Sequence, residues 1–63
     1  MYFIECFREN KHLFIWANMQ DLNEWSVSEK ICFFKNYTDA KYVFDLLSFK
    51  SKTNLSNVKI CYV

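Results

Sequence analysis

Glycine and proline are both absent from this chain. Without glycine, a phosphate-cradling loop, a dinucleotide fingerprint and a nucleophile elbow are excluded as recognisable motifs. Each needs a residue lacking Cβ where the backbone turns tightly or approaches a ligand. Histidine occurs once, at position 12. The cysteines, Cys6, Cys32 and Cys61, are odd in number and far apart. They form none of the close pairs from which structural zinc sites are built, and an odd set does not suit a disulfide-stapled secreted domain. Free thiols in a reducing cytosol are the simpler expectation. An excess of one charge is also lacking: eight basic against seven acidic side chains leave a net +1. That balance speaks against a polyanion-binding tail and against an acidic nucleic-acid mimic. No apolar run reaches the ~18 residues of a membrane span. The opening Met-Tyr-Phe-Ile-Glu has neither a basic n-region nor a small-residue cleavage site, so no signal peptide is expected.

What the chain does have is rings: seven Phe, four Tyr and two Trp in 63 residues. One domain, residues 1–63, is expected. A chain this short buries only about 60% of the surface it exposes when unfolded, so its stability calls for a supplement such as oligomerisation or a partner. Large rings bury much area in little space. There are nevertheless more of them than one small core requires, and some should remain at the surface.

Periodicity assigns the elements. Tyr2–Arg8 reads as a strand with Tyr2, Ile4 and Cys6 on one face and Phe3, Glu5 and Phe7 on the other. Both faces carry apolar groups, which suits a central or covered strand. Residues 8–11 are polar and fit a short hairpin turn, with Asn10 taking the positive φ that glycine would otherwise supply. Residues 12–18 return as a second strand, with His12, Phe14 and Trp16 opposite Leu13, Ile15 and Ala17. A connection is expected over 19–24 and a short third strand over 25–27. The apolar run 31–34 is read as a strand, although periodicity cannot separate so short a run from a buried helical turn. From Asn36 to Ser51, Tyr37, Ala40, Val43, Phe44 and Leu47 recur at helical spacing. Asn36 suits the N-cap, and Asp39 suits the positive end of the helix dipole. Residues 58–63 form the last strand. The expected fold is α+β: a small antiparallel sheet of about four strands in the order β-β-β-α-β, with one helix packed on one face. A single helix stripe covers only one sheet face, and neither face of the first strand is polar. The other face is therefore expected to self-associate or to dock on a partner.

Chemistry-bearing residues are few. His12 as a general base would need a nucleophile and an orienting acid; Cys6 across the hairpin and Glu5 or Glu9 are the candidates, against an ordinary histidine beside a turn. Glu5 stands out between Phe3 and Phe7. If buried, it needs a partner for its charge, or its pKa rises. No catalytic residue, cofactor or metal is expected. Phe3, Phe7, Phe14, Trp16 and Trp25 are the candidate protein-binding residues, because large aromatics dominate interface energetics. As the alternative, Lys50, Lys52 and Lys59 with Tyr62 form a candidate nucleic-acid patch. The charge balance weighs against it.

The second half resembles a recurrent type of small phage-encoded protein, in which strands precede a helix opened by the pattern F-x-[S/T/N]-x-x-[D/E]-A and a last strand follows. The matching residues are Phe34, Asn36, Asp39 and Ala40, then Leu46 and Leu47, then 58–63, about half of the chain. Some such proteins block host defence proteins, as anti-CRISPR inhibitors do. The resemblance implies a phage or mobile-element origin and, with it, an inhibitor that binds a host protein in the bacterial cytoplasm. A non-enzymatic role, a homo-oligomer through the uncovered face and the absence of a membrane partner are expected from the residues themselves. The aromatic load and the glycine-free turns depart from that type, and no functional residue carries over.

Overall fold

A computed structural model of the protein describes residues 1–49 and 54–63. Its elements are β1 (Tyr2–Arg8), β2 (Lys11–Asn18), β3 (Asp21–Ser28), α1 (Tyr37–Phe49) and β4 (Ser56–Tyr62), the expected order. The strands form one antiparallel sheet in the order β3-β2-β1-β4. β1, apolar on both faces, is a central strand. α1 lies across one face, and the core sits between them: Ile4, Cys6, Leu13, Ile15 and Ala17 from the sheet, Ala40, Val43 and Leu47 from the helix. Tyr37, the first residue of the expected stripe, lies at the helix margin, half exposed. Asn36 accepts the first helical bond, from the Ala40 N–H, and Asp39 lies in the first turn.

A glycine-free chain must make its turns with other residues. Glu9 and Asn10 close the β1–β2 hairpin with φ of 51° and 67°, the two positive values that a two-residue type I′ turn requires. Asn54 and Asn57 are the other left-handed residues among those described, at φ 53° and 51°; Asn tolerates this region better than most side chains. Asn57 lies where β4 slips by one residue against β1, between the pairs Glu5–Lys59 and Phe7–Ser56.

The β2–β3 hairpin is made differently. Neither Met19 nor Gln20 has positive φ, so this turn is not of the primed kind that matches strand twist. The strands accommodate it by a shift in register: Ala17 faces Trp25, yet Asn18 faces Asp21, so Leu22, Asn23 and Glu24 bulge out. The bulge is tied down. The Asn23 N–H donates to Asp21 Oδ1 at 3.2 Å, and Tyr42 of the helix donates its Oη–H to Asn23 Oδ1 at 2.8 Å. The expected connection over 19–24 is thus a tight turn and a bulged strand start, and 25–27 lie within the regular ladder.

The expected strand at 31–34 is corrected. Only Phe34 pairs. Its N–H donates to the Tyr2 carbonyl at 2.7 Å, and its carbonyl accepts from the Tyr2 N–H at 2.8 Å. The β1–β2 ladder ends at Glu5–Phe14. Beyond that pair, Phe34 takes up the bonds of Tyr2 on the side facing away from β4. The physical reason is space. The Phe34 ring is completely buried and is the largest such side chain, so one residue docks into the core and its neighbours turn away.

Two measurements check this reading. Glu9→Asn with Asn10→Gly should raise stability by about 1 kcal/mol, since a left-handed Glu costs roughly that much and Asn-Gly suits both turn positions. For a domain this size that is ~4–8 °C in Tm; an unchanged or lower Tm would contradict the turn. Phe34→Ala should cost about 3–5 kcal/mol, against a total of roughly 3–9 kcal/mol for a chain this long, whereas Phe33→Ala should cost under about 1 kcal/mol. Urea unfolding of both variants compares them, and equal losses would contradict the placement of Phe34.

Candidate protein-binding face

The strand period of two divides the sheet's side chains. Those at Ile4, Cys6, Leu13 and Ile15 meet the helix. Those between them in sequence form the outer face: Phe3, Glu5 and Phe7 of β1 beside His12, Phe14 and Trp16 of β2. No described element covers this face. Phe33 extends it, because the segment that buries Phe34 inward turns its neighbour outward.

The rings pack on one another. Phe3 meets Phe14 edge-to-face with centroids 6.0 Å apart, and meets Phe33 at 6.1 Å. His12 stacks on Phe7 at 4.9 Å and leans on Phe14 at 4.8 Å. Such pairs contribute about 0.5–1.5 kcal/mol each beyond their buried area, so the cluster holds its shape. It remains open: Trp16 is 39% and Phe33 41% exposed. At the Tyr2 end the apolar surface runs on into a shallow hollow of about 280 Å³, lined by Met1, Met19, Phe33, Lys35, Asn36 and Asp39.

Glu5 stands in the middle of this apolar field with its side chain only 17% exposed. Lys59 Nζ lies 3.4 Å from its Oε2, and His12 Nε2 lies 3.3 Å from its Oε1. Burial works against its charge, but the hydrogen bonds and charges of Lys59 and then His12 outweigh that cost and hold the pKa below its ordinary value. The partner that the sequence required of a buried Glu5 is therefore supplied twice.

Other candidates are distributed differently. Trp25 lies apart from the other four candidate aromatics, on the helix side of the sheet. It pairs with Ala17 and packs, half-buried, against the core on the helix side. Cys6 and His12 are neighbours in the hairpin but project to opposite faces, so they form no reactive pair. Cys6 and Cys61 also fail to meet: Phe3, not Cys6, pairs with Cys61. Burial raises the pKa of both thiols, and the Glu5 charge raises that of Cys61 further. No group of three metal-ligating side chains assembles among the described residues, and no described helix is long and apolar enough to cross a membrane. Of the alternative patch, Lys50 and Lys52 lie outside the described residues. Lys59 is on the outer face with Glu5, while Tyr62 is on the helix side, 72% exposed and edge-on to Tyr2 at 5.0 Å. Lys59 and Tyr62 therefore cannot share a surface. The sequence reading missed Phe33, whose signal was the in–out alternation of a two-Phe run, and Met1 and Met19, which carry none.

Comparison with known proteins finds no match among family models, characterised proteins or solved structures.

The Glu5 arrangement predicts a pH dependence. A carboxyl whose folded pKa is depressed stabilises the fold above its unfolded value, and that contribution is lost as pH falls through the folded value. Glu5→Gln should therefore be less stable than wild type at neutral pH, with the gap closing as pH drops below the ordinary carboxyl value of 4.5. Chemical denaturation across pH tests this. A gap that persists at low pH, or none at neutral pH, would contradict the ion pairs.

Proposed function

We propose that this chain is a non-enzymatic protein-binding module whose contact surface is the outer face of the sheet, and that its target is a protein of a bacterial host, blocked by steric occlusion. One observation carries the reading. Phe3, Phe7, Phe14, Trp16 and Phe33 gather on the side of the sheet that the helix does not cover, around a Glu5 whose charge is already satisfied. A surface of that kind gains free energy when another protein removes it from water. Trp16 is the natural anchor, since it is the largest ring there and large aromatics carry much of the energy at interfaces. The host as the source of the target follows from the resemblance to small phage-encoded inhibitors. Aromatics on two central strands also favour a second reading, a platform for stacking single-stranded bases. The lysine on this face is engaged by Glu5, and Glu24 stands at the rim, hydrogen-bonded at 3.4 Å by Asn18. Such charges suit a protein better than a phosphate backbone.

Capture of host proteins on the immobilised chain, with identification by mass, tests the proposal. The captured protein should survive high salt and be lost with Trp16→Ala, at a cost of about 2 kcal/mol or more in affinity. Retention by a folded Trp16→Ala variant would overturn the assignment of the face. Binding to oligonucleotides that falls steeply with salt would instead favour the stacking platform.

A further inference from the structure

We infer that two copies of this chain join through the free edge of β4, the two strands antiparallel about a two-fold axis that passes at Ile60, perpendicular to the sheet. The inference does not rest on the target reading, because such a pair leaves the outer face open.

The hydrogen bonding of β4 names the kind of occupant. β4 is the last strand of the sheet. The Val63 N–H donates to the Met1 carbonyl at 2.8 Å, and the Met1 amino group donates to the Val63 carbonyl at 3.0 Å. Antiparallel ladders alternate bonded and non-bonded pairs. Phe3 lies opposite Cys61 and Glu5 opposite Lys59, so residues 59, 61 and 63 turn their backbone groups inward to β1. Each peptide unit is planar and trans. The N–H groups of Ile60 and Tyr62 and the carbonyls of Val58, Ile60 and Tyr62 therefore point outward, and no described strand lies beyond them. What such an edge takes is another strand.

Native edges are usually guarded. The opposite edge is: β3 starts in the bulge at 22–24, which Tyr42 ties to the helix. β4 has one charged side chain, Lys59, and it reaches back to Glu5 at 3.4 Å. The irregularity of β4 lies near its start, around Asn57, and leaves 59–63 in regular register.

Any extended strand satisfies the outward groups; the order of residues along this edge favours its own copy. An isologous contact requires a self-complementary surface. About an axis at Ile60, the two Ile60 residues exchange both bonds, and each Tyr62 N–H donates to the other copy's Val58 carbonyl. On the helix side the row Val58, Ile60, Tyr62 meets Tyr62, Ile60, Val58. The Tyr62 ring, edge-on to Tyr2 and otherwise largely in water, then lies beside the other copy's Val58. On the outer side Lys59 faces the other copy's Cys61, so like charges are not opposed. The helices do not collide. α1 spans β3, β1 and β4 of its own sheet. With strands about 4.8 Å apart, the centres of two such sheets joined at their edges stand ~19 Å apart, against about 8–10 Å for packed helices. Pairing makes one continuous sheet with both helices on one side and both aromatic faces on the other. It removes the open edge and is the supplement that a chain of this length needs.

Sedimentation velocity on the full chain, from about 1 µM to 1 mM, tests the inference, since small interfaces fall at the weak end of the range. The expected result is a mass rising from 7.7 kDa toward twice that value, with a midpoint on the order of 100 µM. Tyr62→Pro lacks the outward N–H, whereas Tyr62→Ala keeps it. The midpoint of the first should lie about tenfold or more above that of the second, with circular dichroism reporting that both are folded. A second measurement does not depend on proline. Non-bonded neighbours on antiparallel strands have Cα atoms ~4.5 Å apart, within disulfide reach. Lys59→Cys should therefore oxidise to a covalent dimer joined from position 59 to the other copy's Cys61, read by peptide mass mapping. A wild-type chain that stays monomeric throughout overturns the inference. So do equal midpoints for the two folded Tyr62 variants, and so does a Lys59→Cys chain that gives no link or links Cys61 to Cys61. The target reading is judged separately: a monomeric wild type that captures a host protein through Trp16 overturns the dimer alone, and a dimer that captures none overturns the target alone.

Discussion

One amphipathic helix can shield only one face of a four-stranded sheet, and the rest of this structure is arranged around that limit. On the shielded side, Ile4, Cys6, Leu13, Ile15 and Ala17 meet Ala40, Val43 and Leu47 in a core with no buried polar side chain among the described residues. On the other side the same strands carry rings, and no second helix among the described residues receives them. The rings therefore cover part of that face themselves, edge to face, and enclose the single carboxylate between two bases. The protein keeps a large apolar surface in register without burying it.

Phe34 links the two sides. Its insertion beside Tyr2 fills the core where β1 and β2 part, and the extended backbone at that point directs Phe33 the opposite way, onto Phe3. Core packing thus sets the extent of the outer face, and a change at Phe34 would be felt on both surfaces.

Much of this was legible in the sequence. The helix stripe, the alternation in β1 and β2, and the hairpin at 8–11 are strong periodic or turn signals, and each corresponds to an observed element. The division of Phe3, Phe7, Phe14 and Trp16 from the core follows from a period of two alone. The rest depended on tertiary context. A four-residue apolar run reads the same whether it forms a ladder or docks one ring, so pattern alone does not show that only Phe34 of 31–34 pairs. The facing of Trp25 has no local signal, because it depends on the register opposite Ala17, which the bulge at residues 22–24 sets. Glu9 in the left-handed region has no sequence signal, since Glu is not a residue that favours it; the neighbouring Asn10 and the tight loop impose it. The pairing of Glu5 with Lys59 required β4 to lie beside β1, a matter of strand order that local pattern does not encode.

The central claim is that the outer face, and not the helix side, is where this protein meets its target. The two tryptophans lie on opposite sides of the sheet and can report on each side separately. In Trp25→Phe, Trp16 is the lone fluorophore and the outer face is intact. Acrylamide quenching of this variant, alone and with a captured target, should show Trp16 becoming shielded and blue-shifted as the complex forms. A complex that forms while the Trp16 signal never changes would contradict the account.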